Sequence, residues 1–395
     1  YEKDLKILIQ KIIDGDKVSP PFDTLSFFDS LKLQRISAEK WVKDKFPSIN
    51  TLGPIPKRTI NKKIRIGYYS ADYYEHATSF LIAELIEVHD KSKFEIFGFS
   101  FGPNQNDEMK KRISNAFDKF IDVNLKTDKE VAQLSRDLKI DIAVDLKCFT
   151  EFSRFGIFVE RCAPIQVNYL GYPGTSGSNC MEYIIADKVL IPQEDQKHYS
   201  EKIVYLPHSY QVNDSTKKIS DNIFTREELK LPKDGFIFCC FNNNYKITPN
   251  VFNSWMKILK NVKDSILWLF ETNPIVIKNL QQEAKKRGVK SDRLIFAKRM
   301  TLDKHLARLK VADLFLDTLP YTAHTTSSDA LWSGLPIIVH IGKSFQSRVS
   351  ASLLTAIELP ELITHSEKEY EDLAIKLATN PGQFLKIKNK LKKNR

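Results

Sequence analysis

Several features that would assign the chain to a particular class of protein are missing from its sequence. No apolar run approaches the roughly 20 residues that a membrane-spanning helix needs, and the charged start YEKDLKILIQ does not resemble a signal peptide. The five cysteines form no CxxC pair, and their odd number and apolar neighbours fit a reducing compartment. We therefore expect a cytoplasmic protein without a membrane span. Because an initiator methionine is also missing, we expect further residues upstream.

The sequence also contains no strong pattern for a metal or a dinucleotide. Its eight histidines include no HxxxH or HExxH pair, so no metal site is predicted. The one Asp-x-Asp run, Asp14-Gly15-Asp16, lies far from either predicted sheet, which indicates a turn. The loop LGYPGTSG (170–177) has GxxGxxG spacing instead of the dinucleotide pattern GxGxxG. Its glycines would let the backbone approach a sugar or phosphate closely. The candidate binding residues of this loop are Gly171, Pro173, Gly174 and Thr175.

The charge balance is strongly basic, with 60 lysines and arginines against 49 acidic residues and a net charge of +11. Such an excess is compatible with a nucleic-acid partner, a membrane surface or an anionic substrate. Much of it lies in helix-like stretches such as KLQRISAEKWVKDK (32–45) and KIKNKLKKNR (386–395), which favours solvated helix faces. Because no RNA-binding aromatic motif or zinc finger accompanies the charge, we predict no nucleic-acid partner.

Two series of alternating strand and helix patterns dominate the chain after residue 64. Short β-branched or aromatic runs alternate with amphipathic stretches, which predicts an α/β protein with parallel sheets covered on both faces. In the first series we predict strands at 64–70, 94–100, 140–146, 165–170, 183–187 and 203–207. In the second series we predict strands at 236–241, 266–270, 293–297, 313–317 and 336–340.

The two series predict two Rossmann-like domains that face one another across a cleft. A chain of 395 residues exceeds one ordinary core, and ligands of such sheets bind beyond the carboxyl ends of the strands. The predicted boundaries are a helical extension and linker over 1–60, a first Rossmann-like domain over 61–207, a polar linker over 208–232, a second Rossmann-like domain over 233–380 and a C-terminal helix over 381–395. The cleft is therefore the expected site.

The segment DLFLDTLPYTAHTTSSDALWSGLP (313–336) carries the strongest candidate for a phosphate site. A strand is predicted to end near Asp317, and a helix to begin at Thr325 or Thr326. The start of a helix offers unpaired N–H groups and partial positive charge to an anion, and the two hydroxyls add donors. The alternative is that Thr326-Ser-Ser-Asp329 is only an acidic capping box. Asp329 would repel a phosphate but could accept from ribose hydroxyls.

Two further polar residues follow predicted strands. In FCCFNNNYKITPNVF (238–252) a strand ends in three asparagines, and Lys246 stands in the loop before a helix start at Thr248-Pro249. Lys246 could neutralise a diphosphate leaving group, or it could be an exposed lysine beside an Asn-rich turn. His76 follows the first strand, in GYYSADYYEHATSF (67–80). It would face the cleft as an active-site residue, or it could lie on the surface or cap the next helix.

Together these segments resemble the catalytic region of the O-linked N-acetylglucosamine transferases, the family (glycosyltransferase family 41) that includes SPINDLY-like proteins. The similarity runs from about residue 20 to about residue 380. It is carried by the segments IRIGYYSADYYEHATS, APIQVNYLGYPGTSG, YIIAD, HYSEKIVYLPH, FCCFNNNYKITP, LFLDTLPYTAHTTSSDALWSGLP and SRVSASLL. The resemblance implies a GT-B fold and an inverting transferase, independent of metals and cofactors, that acts on Ser or Thr of a protein acceptor.

The resemblance also implies roles for individual residues. Lys246 would lie on the donor diphosphate, and Thr325 and Thr326 would bind its phosphates. His76 stands where the family has a histidine proposed as a base or substrate contact, so we predict His76 and Lys246 as the catalytic residues. The remaining implied donor contacts are Asn243 and His324 near the phosphates, Asp329 at the ribose, and His305 and Arg308 at the uracil. The sugar and acceptor side would be formed by the loop residues Gly171, Pro173, Gly174 and Thr175.

Three positions depart from the family pattern. Cys148-Phe149-Thr150 replaces a GYT-type run, so the bulkier Cys148 is expected to alter the acceptor side. Leu302 stands where animal members carry a lysine, which would loosen one donor contact. Asp141 stands where animal members have a histidine, so that histidine cannot be the base here.

The donor implied by the resemblance is a UDP-sugar, with UDP-GlcNAc as the leading candidate and UDP-glucose as the alternative. SPINDLY-type fucosyltransferases use GDP-fucose and lack the histidine and aspartate of HTTSSD, whereas this chain has His324 and Asp329. We expect in-line attack by an acceptor hydroxyl, with His76 or a donor phosphate oxygen as the base. Two alternatives stay open: an N-glycosyltransferase using UDP-glucose on Asn sequons, and a catalytically silent basic module. Family members usually carry tetratricopeptide repeats, which would stand upstream of this chain.

Overall fold

A computed structural model of the chain describes residues 1–16, 19–47, 51–57, 62–103 and 105–395. It divides into two compact units, Tyr1–Thr216 and Lys217–Arg395. The division falls within the stretch 208–232, in which the sequence predicts a polar linker. Each unit contains one parallel sheet, so the prediction of an α/β protein with two Rossmann-like domains is confirmed.

The first unit begins with three helices, α1 (Glu2–Asp14), α2 (Pro21–Thr24) and α3 (Leu31–Lys45). The Asp14-Gly15-Asp16 run forms the end of α1. Gly15 takes a left-handed conformation with a φ of 102°, and its N–H donates to Lys11 O at 3.0 Å. Glycine adopts this conformation at little cost, so the Asp-x-Asp run is a helix cap.

The sheet of the first unit has seven parallel strands in the order β3-β2-β1-β4-β5-β6-β7. The strands are β1 (Ile64–Ser70), β2 (Phe94–Ser100), β3 (Lys119–Asp122), β4 (Ile142–Asp145), β5 (Ile165–Asn168), β6 (Tyr183–Ala186) and β7 (Lys202–Tyr205). The helices between them are α4 (Ala77–Glu87), α5 (Glu108–Ala116), α6 (Asp128–Asp137) and α7 (Gly156–Val159). The sequence analysis missed β3, because KFID is a short edge strand without a buried apolar run.

The sheet of the second unit has six parallel strands in the order β10-β9-β8-β11-β12-β13. The strands are β8 (Ile237–Cys240), β9 (Ile266–Phe270), β10 (Leu294–Ala297), β11 (Leu314–Leu316), β12 (Ile337–His340) and β13 (Ile363–Thr364). The helices are α8 (Pro249–Asn261), α9 (Pro274–Lys286), α10 (Leu302–Leu309), α11 (Thr325–Trp332), α12 (Val349–Ala356), α13 (Glu367–Thr379) and α14 (Pro381–Asn394). The sequence analysis missed β13, which has two residues.

Burial on both faces explains the continuous apolar runs of the central strands. Every residue of β8 and of β11 is buried. In β1, Tyr69 is fully buried, stacks on Phe99 with ring centroids 4.3 Å apart and donates its hydroxyl to Ser135 Oγ at 2.6 Å. No helix within the described ranges combines the length and the hydropathy needed to cross a bilayer.

The two sheets share a topological feature that positions the candidate site. In each sheet the first strand of the unit lies between the second and the fourth strand of that unit. The direction of the strand order therefore reverses between β1 and β4 in the first sheet, and between β8 and β11 in the second. The loops after two such strands leave the sheet on opposite sides, and the crevice between them is the usual ligand site of doubly wound folds. The candidate residues are therefore sought in the loops that follow these four strands.

Candidate functional site

Lys246 lies in the loop after β8, on a 3₁₀ turn that follows the asparagines. The residue is only 8% exposed, so the alternative of an exposed lysine is wrong. Its Nζ donates to Thr322 O at 2.9 Å and lies 3.9 Å from the centroid of the Tyr321 ring. None of the ion pairs formed by the described residues involves Lys246.

The environment of Lys246 favours an anionic ligand. Burial lowers the pKa of Lys246, and the nearby carboxyl of Asp317 opposes that change. Removing an ammonium from water without a paired carboxylate is unfavourable. A phosphate group bound at Nζ would supply the missing charge partner and further hydrogen-bond acceptors.

Two buried residues that the sequence analysis missed support the loop after β11. Asp317, at the end of this strand, accepts from the N–H groups of Thr318 and Ala323, both at 2.7 Å. Asn242 follows β8 and donates to Asp317 Oδ1 at 3.2 Å and to Thr318 Oγ1 at 2.8 Å. Burial raises the pKa of Asp317, while its hydrogen bonds and the charge of Lys246 oppose the change. Their signal in the sequence is a polar residue directly after an apolar run.

Helix α11 begins at Thr325, three residues after the carbonyl that Lys246 binds. His324 is the cap residue, and its carbonyl accepts from two amides of the first turn at 3.1 and 3.2 Å. The amides of Thr325 and Thr326 have no acceptor among the described residues. Thr326 is not the cap, so the capping-box alternative is wrong. The unpaired amides and the Lys246 ammonium are the groups of this segment that could bind a phosphate.

His324 is held as a neutral ring. Its Nε2 lies 3.1 Å from Gln346 O; since a carbonyl only accepts, Nε2 carries the hydrogen. Burial lowers the pKa of His324 well below its usual value, and the charge of Lys246 lowers it further. The one N–H of the ring is therefore already in use, and a phosphate near His324 would have to bind backbone amides instead.

Asp329 lies one turn after Thr325, on the same face of α11. It is buried, and its Oδ1 accepts from Lys217 Nζ at 3.2 Å. Burial raises the pKa of Asp329, and the ammonium of Lys217 opposes that change. The sequence analysis did not predict Lys217. The carboxylate expected to repel a phosphate thus has a cation of its own.

The two residues predicted at the uracil form a pair on α10. Arg308 is buried, donates from Nε to His305 Nδ1 at 2.9 Å and has its guanidinium carbon 4.8 Å from the centroid of the Phe241 ring. Burial and the charge of Arg308 lower the pKa of His305 to about 3. His305 is therefore neutral, with its hydrogen on Nε2, and Arg308 orients its ring. Asn243, predicted near the phosphates, is exposed, and its carbonyl accepts from Lys246 N–H at 3.0 Å.

The first unit also has a buried lysine at its switch point. Lys147, in the loop after β4, donates from Nζ to Asp72 Oδ2 at 2.7 Å, and both side chains are almost fully buried. His76 caps α4, since its Nδ1 accepts from Thr78 N–H at 3.2 Å; the same nitrogen lies 3.5 Å from Asp72 Oδ2. The sequence analysis found His76 but missed the buried pair beside it.

The contacts of His76 decide which of its nitrogens carries the hydrogen. A backbone N–H only donates, so Nδ1 is the acceptor and the neutral ring carries its hydrogen on Nε2. Burial lowers the pKa of His76, Asp72 and Glu151 raise it, and Lys147 lowers it. The side chain is 39% exposed. His76 therefore both caps a helix and presents a hydrogen-bond donor at its exposed edge.

The glycine loop after β5 packs tightly against the chain that follows β4. A Cβ on Gly171 would lie 1.9 Å from the carbonyl oxygen just after β4, so only glycine fits there. Pro173 and Gly174 are buried, and Thr175 donates to the carboxylate of buried Glu201 at 2.6 Å. Of the four residues predicted on the acceptor side, Gly171 alone is partly exposed.

The three departures from the family pattern have separate structural settings. Cys148 is buried with a φ of 44°, a left-handed conformation that glycine adopts more readily. Asp141 precedes β4 and accepts from Arg65 N–H at 2.9 Å, at the opposite end of the strand from Lys147. Leu302 is the half-exposed first residue of α10. Asp141 therefore takes no part in the cluster around His76.

The chain is similar to several known proteins. The model of Glycosyl transferase family 41 matches residues 53–221 and 218–395. The chain is 35% identical over 348 residues to an Arabidopsis thaliana protein named probable UDP-N-acetylglucosamine--peptide N-acetylglucosaminyltransferase SEC, across 87% of this chain and 36% of that protein. It is 26% identical over 446 residues to the Caenorhabditis elegans UDP-N-acetylglucosamine--peptide N-acetylglucosaminyltransferase, across 84% of this chain and 38% of that protein.

A solved structure shows the same architecture. A mutant O-GlcNAc transferase of Thermobaculum terrenum matches with a TM-score of 0.84 and 30% identity, across 93% of this chain and 70% of that one. This match shows that the fold is GT-B. The chain spans little more than a third of the length of the curated relatives that it matches (36% and 38%). Since the family model covers nearly all of it, the chain belongs to glycosyl transferase family 41.

Proposed function

We propose that the chain transfers N-acetylglucosamine from UDP-GlcNAc to serine or threonine hydroxyls of a protein, with inversion at the anomeric carbon. The observation that carries this proposal is the buried ammonium of Lys246 beside the unpaired amides at the start of α11. The names of the relatives, which specify UDP-N-acetylglucosamine and a peptide, support the donor and the acceptor class.

The diphosphate would bind Lys246 Nζ and the amides of Thr325 and Thr326, whose side chains are partly exposed. Asp329 would accept from the ribose hydroxyls, because a carboxylate has about four acceptor positions and Lys217 uses one of them. His305 would donate from Nε2 to a uracil carbonyl, with Arg308 holding its ring in place. Asn243 would lie near the phosphates.

The reaction would begin with attack of the acceptor hydroxyl oxygen on the anomeric carbon of the sugar. The bond between that carbon and the β-phosphate oxygen breaks, and Lys246 with the helix end neutralises the charge that develops on UDP. His76 is a poor base in its present tautomer, because Nδ1 is occupied and Nε2 already carries a hydrogen. We therefore assign the hydroxyl proton to a phosphate oxygen of the departing UDP, and the Nε2–H of His76 to a substrate contact.

The proposal is tested by incubating the protein with UDP-GlcNAc and a peptide library, then measuring UDP release and the modified residues by mass spectrometry. We expect N-acetylhexosamine on serine or threonine. Glucose on asparagine, with UDP-glucose as donor, would identify an N-glycosyltransferase instead. A basic binding module would release no UDP and would bind nucleic acid in a steeply salt-dependent manner. Tighter binding of GDP than of UDP would overturn the donor assignment.

The proposal also includes transfer that is independent of metal ions and a cytoplasmic location. We expect transfer to be unchanged by EDTA, because Lys246 and the helix end perform the charge neutralisation that a metal performs in other transferases. The described residues contain no group of three or more His, Cys, Asp or Glu that could hold a metal ion. All five cysteines are free thiols, which is consistent with the cytoplasmic location that we propose.

A further inference from the structure

A buried ion pair joins the start of the second unit to the helix that carries the candidate phosphate site. Lys217 donates from Nζ to Asp329 Oδ1 at 3.2 Å, and its backbone carbonyl accepts from Trp332 Nε1 at 3.3 Å. Asp329 and Trp332 are three residues apart on α11, so Lys217 lies along one face of that helix. Only 3% of the Lys217 side chain and 9% of the Asp329 side chain is exposed.

The charges of Lys217 and Asp329 bear on the candidate phosphate site, because Asp329 lies on the helix that begins at Thr325. Asp329 is four residues from Thr325, which is about 6 Å along the helix axis. An uncompensated carboxylate at that distance would repel a diphosphate at the start of α11 and oppose the attraction of Lys246. Burial raises the pKa of Asp329, and the Lys217 ammonium opposes that change. Lys217 thus favours the ionised form of the carboxylate and offsets its charge.

We propose that Lys217 is an electrostatic positioning residue of the donor site: its ammonium cancels the charge of Asp329, so that α11 attracts a diphosphate while Asp329 can still accept from ribose hydroxyls. The inference rests on the proposed function, since it requires that the start of α11 binds the diphosphate. Lys217 belongs to the polar stretch 208–232 and not to one of the loops that follow β1, β4, β8 and β11, so the inference adds a residue of that stretch to the donor site.

The test measures three ligands, UDP, inorganic diphosphate and uridine, by calorimetric titration and by competition with UDP at about pH 8, well above the usual pKa of a carboxyl group. Lys217→Met is expected to weaken UDP and diphosphate about tenfold and uridine less than about twofold. Asp329→Asn is expected to strengthen diphosphate binding, a gain that a folding defect cannot produce. The double variant is expected to bind diphosphate within about threefold of the parent, because both charges are gone.

A matched control is offered by Lys257, whose Nζ lies 2.9 Å from Oε1 of the buried Glu371. This ion pair joins α8 to α13, so Lys257→Met is expected to leave all three affinities unchanged. Lys217→Arg, which keeps the charge, is expected to stay within about threefold of the parent for UDP.

Two results would overturn the inference. Lys217→Met would weaken uridine and diphosphate equally if Lys217 only tied its segment to α11. Asp329→Asn would bind diphosphate no better than the parent if the Asp329 charge did not reach the site. Failure of the parent itself to bind UDP would be a different result, because it would overturn the proposed function and this inference together.

Discussion

Each unit has a buried lysine in a loop at its switch point, but the two lysines have different partners. Lys147 in the first unit donates to the carboxylate of Asp72, whereas Lys246 in the second donates to a backbone carbonyl and lies over an aromatic ring. Removing the lysine of a buried ion pair is destabilising, because it leaves a buried carboxylate uncompensated. Lys246 forms no ion pair, although the carboxyl of Asp317 is nearby, so its ammonium could still pair with an anionic ligand. We therefore propose that the same position in two similar sheets serves structure in one unit and anion binding in the other.

The histidines near these lysines, His324 and His76, differ in how their ring nitrogens are used. His324 uses the hydrogen on Nε2 to bind Gln346 O, whereas His76 uses Nδ1 to cap a helix and keeps its Nε2–H at a partly exposed edge. We infer that His324 shapes the phosphate site mainly through its backbone, while His76 contacts substrate through its ring.

The largest expected effect is that of Lys246→Met on turnover. Removing the cation that neutralises departing UDP should lower kcat by about 10²- to 10³-fold, the range found when a single transition-state donor is removed. UDP release from UDP-GlcNAc in the presence of acceptor peptide measures it. Lys257→Met serves as the control, because it removes a lysine of the same unit whose ion pair, with Glu371, joins α8 to α13. Turnover by Lys246→Met close to that of the parent would contradict the different roles assigned to Lys147 and Lys246.

The next effect is on the free energy of unfolding and should differ in size between the two units. Lys147→Met leaves Asp72 buried without its cation, so the free energy of unfolding should fall by about 3–5 kcal/mol. Lys246→Met removes a buried cation that forms no ion pair, although Asp317 lies nearby, and should lower the free energy of unfolding by less than Lys147→Met does. Urea denaturation of the two variants and the parent measures both. Equal losses in the two variants would show that the lysines do not differ as described.

The affinity for UDP should depend on the protonation of Lys246. Burial lowers the pKa of Lys246, and the charged form binds the anion, so affinity should fall as the pH rises above neutral. The fall should begin well below about 10.4, the usual pKa of lysine. Calorimetric titration across that range measures it. Lys246→Arg should bind UDP with no such fall, because a guanidinium stays charged; a fall of the same size in that variant would assign it to another group.

The smallest expected effect is a change in the pKa of His76. Lys147 lowers the pKa of His76 and Asp72 raises it. Lys147→Met should therefore raise that pKa, since Asp72 and Glu151 remain, and Asp72→Asn should lower it. NMR titration of the ring resonances, assigned with a His76→Gln variant, measures both directions. Shifts of the same sign in the two variants would contradict the assignment of opposite influences.

The central strands could be predicted from the sequence because burial on both faces requires continuous apolar runs, as in FIFCCF around β8. The edge strands β3 and β13 escaped prediction because they are short and carry no such run. His76, Lys246 and Thr325 could be placed in the loops that follow predicted strands, because the number of residues between a strand end and each of them is read directly from the sequence.

The partners of these residues could not be predicted in the same way. Lys147 lies 75 residues from Asp72, and Lys217 lies 112 residues from Asp329. Pairing over such separations depends on how the strands are ordered in the sheet, which apolar periodicity does not reveal. The tautomer of His76 was likewise beyond the sequence, because it follows from a single hydrogen bond with Thr78 N–H.

The central claim is that Lys246 and the start of α11 bind a diphosphate, and the most direct test compares UDP with uridine. Calorimetric titration would be performed on the parent and on Lys246→Met. The account predicts that the parent binds UDP at least about a hundredfold more tightly than uridine. It also predicts that the substitution removes most of that difference while leaving uridine binding unchanged. An undiminished preference for UDP in Lys246→Met would contradict the account.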